Sequence, residues 1–276
     1  WIINESVPNS ISLSQLLAKT GGLPVDRAAQ VFKMLLYAVY SIHSTSSDLR
    51  LSLHPQNILI DNHGFIRILD IGIFEALQYI DGYNLPLPHP LLVTAPYFSS
   101  PEICQYYLQN PAATSTPANN GLSHMNNNTN HALLLQLSRT CDVWSLGVLL
   151  YTIVTGAVPV ALHLGSPLDI MQYIANQLSP SDFVLPPALA TDNIWSAGLV
   201  DILTNCCLQR NPAARWNVKQ LLQHTFVYHL NRFELYQSAR NWTYPTVQQQ
   251  IAMWQQQNSG IAARTPPSSA DLSAME

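Results

Sequence analysis

Residues 50–72, RLSLHPQNILIDNHGFIRILDIG, limit what this chain can become more than any other stretch. Two short apolar runs, 58–60 and 66–69, flank Asn62-His63-Gly64. Asn and Gly tolerate the positive φ of tight loops, so the spacing predicts two strands joined as a hairpin. Asn57 and Asp70 stand at the outer ends of those strands, and antiparallel pairing brings these ends together. Two oxygen ligands then converge on one point, a donor set that suits a hard cation such as Mg²⁺.

A hairpin needs something to pack against. With 47% hydrophobic residues in 276, the chain can bury a sizeable core. Charged residues are only 10%, against about 25% in ordinary soluble domains. The 12 basic residues form no run and the formal net charge is -4, so no nucleic-acid partner is expected. Cys104, Cys141, Cys206 and Cys207 show no C-x-x-C spacing, and read as buried thiols of a cytoplasmic or otherwise intracellular protein. Residues 143–164 lack Asp, Glu, Lys and Arg and approach membrane-spanning length. Gly156 and Pro159 interrupt them, so the expectation is a buried helix and no membrane partner.

Taken in order, Trp1-Ile2-Ile3 reads as an apolar strand cut midway, which makes truncation the expectation. A polar connector, 4–12, leads to Ser12 as the cap of a short helix, 13–19, ended by Gly21-Gly22. Pro24 opens a longer helix to about His43. Its residues Ala28, Val31, Phe32, Leu35, Leu36, Val39 and Ile42 keep the i, i+3, i+4, i+7 rhythm. The Pro-rich span 85–101 can only be an extended loop, and Pro101 opens a helix that ends near Gln109. Residues 110–136 read as a low-complexity, disordered insertion. A strongly apolar helix is expected over 141–155, then amphipathic helices at about 167–177, 196–207 and 218–222. Residues 229–276 form a glutamine-rich tail, flexible from about 259.

Five segments in this order resemble the C-terminal lobe of a eukaryotic protein kinase. The family's catalytic loop is H-R-D-L-x-x-x-N, followed by D-F-G and A-P-E. Arg50-Leu51-Ser52-Leu53-His54-Pro55-Gln56-Asn57 stands at the first, Asp70-Ile71-Gly72 at the second and Ser100-Pro101-Glu102 at the third. Cys141-Asp142-Val143-Trp144-Ser145-Leu146-Gly147 is similar to the family's D-x-W-S-x-G helix, and Asn211-Pro212-Ala213-Ala214-Arg215-Trp216 to its D-P-x-x-R-P turn.

The resemblance implies an α+β, mainly α, protein-kinase-like fold. Residues 1–228 would be a helical lower lobe with a small β-hairpin at the active site, without the upper lobe's Gly-rich loop and lysine strand. It gives Asn57 and Asp70 the role of holding Mg²⁺ against ATP, with Gly72 beside them in the nucleotide site. It makes Glu102 and Arg215 a buried ion pair, and Asp142 a brace under the catalytic loop. These positions match the family's pattern.

The chemical positions do not match. Ser52 replaces the catalytic Asp, and a hydroxyl is no base near neutral pH. His54 replaces the loop lysine and is shorter and largely neutral at pH 7. Leu51 replaces the regulatory arginine, and Ala95 the threonine of the segment before Pro96-Tyr97. The resemblance therefore implies a pseudokinase that binds protein partners, with ATP and Mg²⁺ retention open. The alternative is an active Ser/Thr kinase whose upper lobe lies outside this fragment.

Overall fold

Ser12 sits where a strand becomes a helix, and its hydroxyl serves the helix. The computed structural model describes residues 9–45, 51–71, 96–109, 127–163, 165–187, 189, 194–230, 248–249 and 252. Strand β1, Ser10–Ser12, runs into helix α1, Leu13–Thr20. The Gln15 amide donates to Ser12 Oγ at 3.1 Å, and Ser12 N–H donates to Gln15 Oε1 at 2.9 Å. This reciprocal box satisfies two donors the first turn would otherwise leave open. Gly21 ends the helix in the left-handed region, at φ 65°.

Helix α2, Val25–Thr45, carries the expected apolar stripe, and Ala28, Val31, Phe32, Leu35, Leu36 and Val39 are all fully buried. Strands β2, Ile58–Asp61, and β3, Ile66–Ile68, pair antiparallel, with Ile58 opposite Ile68. The expected hairpin is present. β1 pairs with the other edge of β2, giving the order β1-β2-β3. The span 4–12 is therefore not all connector: its last three residues form a third strand that places Ile11 in the core. The turn also differs in detail. Of its three residues only Gly64 takes positive φ, at 82°, and the Asp61 carboxylate accepts from His63 and Phe65 N–H, each at 2.9 Å. An Asp side chain closing the loop thus does what Asn62 was expected to do.

Helix α3, Pro101–Gln109, is followed by α4, Asn127–Thr155. The insertion expected over 110–136 therefore ends earlier, because the helix begins at Asn127 rather than near Cys141. The run Ala132-Leu133-Leu134-Leu135-Gln136-Leu137 consists of strong helix formers, which outweigh the Asn-rich composition before it. Residues 110–126 and the tail beyond Leu230, apart from 248–249 and 252, lie outside the described residues.

The C-terminal half of α4 is buried on every side: Trp144, Leu146, Val148, Leu149, Leu150 and Ile153 have no exposure. Among the described residues no helix is long and apolar enough to cross a membrane. Gly156, at φ 79°, lets the end of α4 lie against the Gly21-Gly22 backbone, where any side chain would collide.

Helix α5 spans Pro167–Asn176, capped by Ser166, and packs on α3. Helix α6, Ile194–Asp201, continues as a π-helical turn, Ile202–Cys207, where one α-helix was expected to Cys207. The short helices α7, Val218–Leu221, and α8, Thr225–Tyr228, close against α2. Two basic side chains hold helix ends. Lys33 donates to the carbonyls of Val227, Tyr228 and Leu230 at 2.9, 3.2 and 2.5 Å. Arg210 donates to those of Ile174, Ala175 and Leu178 at the end of α5. Carbonyls at helix ends have spare acceptor capacity, so a cation held there is stabilising.

Candidate functional site

The hairpin's open end is set by one ladder bond. Leu69 N–H donates to the Asn57 carbonyl at 2.8 Å, so Asn57, just before β2, and Asp70, just after β3, stand at the same end of the hairpin. The Asn57 amide nitrogen donates to the Ser52 carbonyl at 3.3 Å. That bond uses the donor side of the amide and leaves Oδ1 as the atom to offer a cation. Asp70 holds φ 55°, a conformation uncommon for any residue with a side chain. Strain of this kind persists only where the surroundings enforce it, and often at functional positions. The two oxygen donors fit Mg²⁺. Gly72, Ala95 and Arg50 lie outside the described residues.

His54 is buried beside this end, 7% exposed, with the Phe98 ring centroid 6.4 Å away. Phe98 is itself fixed, because Ser145 Oγ donates to its carbonyl at 2.7 Å. Burial lowers the His54 pKa from its ordinary value, and the Asp70 charge only partly offsets this. The imidazole is therefore neutral near pH 7. Ser52 is half-buried on the same loop. Neither side chain is a carboxylate or an ammonium, so among the described residues 51–57 the loop presents no anionic base and no fixed positive charge for a phosphate.

Beneath the loop the supports are firm. Asp142, near the middle of α4, accepts from Leu51 N–H at 3.3 Å and meets His43 Nε2 at 2.8 Å. It is only 3% exposed, and its bond to Leu51 ties the loop's backbone to the core. Arg215 donates to Glu102 through its two terminal guanidinium nitrogens, at 2.6 and 2.8 Å. Its remaining donors reach the carbonyls of Thr140 at 2.9 Å and Gln209 at 2.7 Å. The Trp144 ring lies under the guanidinium, 5.1 Å from its centroid. Burial opposes ionisation of Glu102, but Arg215's hydrogen bonds and charge outweigh it and hold the pKa below the ordinary value.

Sequence reasoning missed two participants. His43 falls on the continuation of the α2 stripe, seven residues after Leu36 and four after Val39, and a polar residue at that position was the available signal. Cys141, whose thiol donates to Glu102 at 3.2 Å, gave none.

Asp201, Cys206 and His224 also bring ligand-type atoms within 4.8 Å of one another. However, His224 Nδ1 accepts from Phe226 N–H at 3.1 Å, so the ring proton is on Nε2, directed to Asp201 at 2.9 Å. Burial pushes the Cys206 thiol up to about 12. In the structure these hydrogen bonds clamp the start of α8 to the end of α6.

Comparison with known proteins gives consistent results. Residues 134–227 match the family model described as protein kinase domain. The chain is 25% identical over 218 residues to mitogen-activated protein kinase kinase 1 of Arabidopsis thaliana, covering 78% of this chain and 51% of that protein. It is 26% identical to human serine/threonine-protein kinase 10, over 82% of this chain and 19% of the relative. It is also 26% identical to serine/threonine-protein kinase chk1 of Schizosaccharomyces pombe, over 82% of this chain and 37% of the relative. The chain spans about half the length of these relatives or less.

Proposed function

We propose, from the premise that this chain belongs to the eukaryotic protein kinase superfamily, that it is a kinase-fold binding module that does not transfer phosphate. One observation carries this reading. The supports at Glu102, Arg215 and Asp142 are built and buried, while the loop they support presents Ser52 and a neutral His54 where the reaction needs a base and a cation. A fold maintained without its chemistry is suited to presenting surfaces to protein partners. The four buried free cysteines support a reducing, intracellular setting.

Asn57 and Asp70 are the residues that would hold Mg²⁺, and with it the phosphates of ATP. Their retention favours a second reading, an active Ser/Thr kinase in a longer protein. Transfer of labelled γ-phosphate from ATP to a generic protein substrate separates the two. No transfer is expected, and transfer above an Asp70→Ala control would overturn the binding-module reading. A thermal shift with ATP and Mg²⁺ reports separately on nucleotide.

A further inference from the structure

One cleft lies away from the hairpin, between the end of α2, residues 139–143 of α4 and the turn before α7. It encloses about 320 Å³, at the lower end of the range for ligand sites. Tyr40 and His43 line one wall, Arg139 and Val143 the second, and Trp216 and Lys219 the third. Trp216 is 37% exposed and Tyr40 is 40% exposed, so two aromatic faces open to solvent at one cavity. Trp216 is held in place: its N–H donates to the Cys206 carbonyl at 3.0 Å, and its ring stands edge-on to His224 at 5.7 Å. It occupies the position where the kinase pattern has proline, so the aromatic surface is this chain's own.

The charge of the cleft is one-sided. Arg139 and Lys219 are exposed, and among the described residues neither is in an ion pair. Arg139 is oriented by a bond from its guanidinium to the His43 carbonyl at 2.8 Å. Among the described residues no carboxylate lines the cleft: Glu102 is paired with Arg215, and Asp142 is 3% exposed and bonded to Leu51 N–H and His43. Arg139 and Lys219 thus line one cleft in a chain with only 12 basic residues and a net charge of -4. Arg, Trp and Tyr are also the residues that most often anchor protein interfaces.

We propose that this cleft docks an acidic peptide segment of a partner protein. Its carboxylates pair with Arg139 and Lys219, and one apolar side chain lies between Trp216 and Val143. The proposal rests on the reading of the chain as a binding module and names the chemistry of what is bound.

Fluorescence anisotropy on the full chain tests it, with a labelled, end-blocked hexapeptide alternating glutamate and leucine. The expected result is binding that weakens with salt, because the contacts are exposed charges. Lys219→Glu should weaken it by about tenfold, since attraction is replaced by repulsion. Lys219→Arg should retain it, and Trp216→Ala should weaken it at unchanged salt dependence. Melting temperatures equal to the parent's show that each variant is folded. Parent-like affinity in Lys219→Glu, equal binding of the lysine-for-glutamate peptide, or full displacement by single-stranded RNA would each overturn the proposal. None of these outcomes bears on phosphate transfer, so failure here is distinct from failure of the binding-module reading.

Discussion

Arg215 and Glu102 face each other as two parallel nitrogen–oxygen contacts, 2.6 and 2.8 Å long, with the guanidinium fully buried and the carboxylate nearly so. They are 113 residues apart in sequence and join the start of α3 to the turn before α7. Breaking such a pair on one side strands a buried charge. Glu102→Ala or Arg215→Ala should destabilise the fold by about 3–5 kcal/mol, read from denaturant unfolding. Because Glu102 is held below its ordinary pKa, its contribution is present above the unfolded value and is lost as pH falls through the folded one. The parent's advantage over Glu102→Gln should therefore shrink below about pH 4.3. Equal melting of mutant and parent at pH 7 would contradict the ion pair.

Asp142 gives a prediction specific to the loop. Removing it leaves the buried Leu51 N–H without its acceptor, at about 1–3 kcal/mol for such a donor. Asp142→Ala should lower the melting temperature and speed exchange of the Leu51 amide by about tenfold or more. Asp142→Asn retains an oxygen acceptor and should be milder. Unchanged exchange at Leu51 in the alanine variant would show that the loop is held by other contacts.

What the sequence revealed follows from how local each signal is. The hairpin, the Ser12 cap and the α2 stripe are written in neighbouring residues, so turn chemistry and periodicity find them. β1 is three residues long with two serines, and only its partner β2 makes it a strand. The start of α4 was hidden because composition was averaged over an Asn-rich span whose last part is rich in Leu. Nothing in 202–207 marks a π-helical turn, and Lys33 reaches carbonyls nearly 200 residues away. At the site, Glu102, Asp142 and Arg215 were reached only through the kinase resemblance, since a lone acid or arginine carries no partner's address. His43 could have been found from the stripe alone.

Gly147 tests the packing of α4 independently of charge. A β-carbon there would lie 2.7 Å from Cβ of Cys207 and 2.8 Å from a Leu208 methyl, closer than side chains tolerate. Both neighbours are fully buried, so neither can move into solvent. Gly147→Ala should cost about 1–3 kcal/mol as overpacking, despite alanine's better helix propensity. For a chain of this size about 1 kcal/mol corresponds to roughly 2–4 °C in melting temperature. A stabilised variant would place α4 farther from the π-helical turn than the structure has it.

Ser52→Asp asks whether one residue separates this loop from a working one. A well-placed general base contributes about 10²–10⁴-fold, so its loss alone could explain an inert loop. The surroundings argue otherwise. His54, two residues on, is buried against Phe98, and burial keeps its ring uncharged near neutral pH although Asp70 pulls the other way. It supplies neither the reach nor the charge of a lysine at the transferred phosphate. Leu51 is buried where the family has an arginine, and so can receive no regulatory phosphate. A carboxylate at 52 would thus act beside a site still lacking its cation and its switch. Ser52→Asp should leave γ-phosphate transfer at the background of the parent chain, and Ser52→Asp with His54→Lys should do little better. Transfer from the single variant above an Asp70→Ala control would show that the other losses are compensated, and would move the chain to the active-kinase reading.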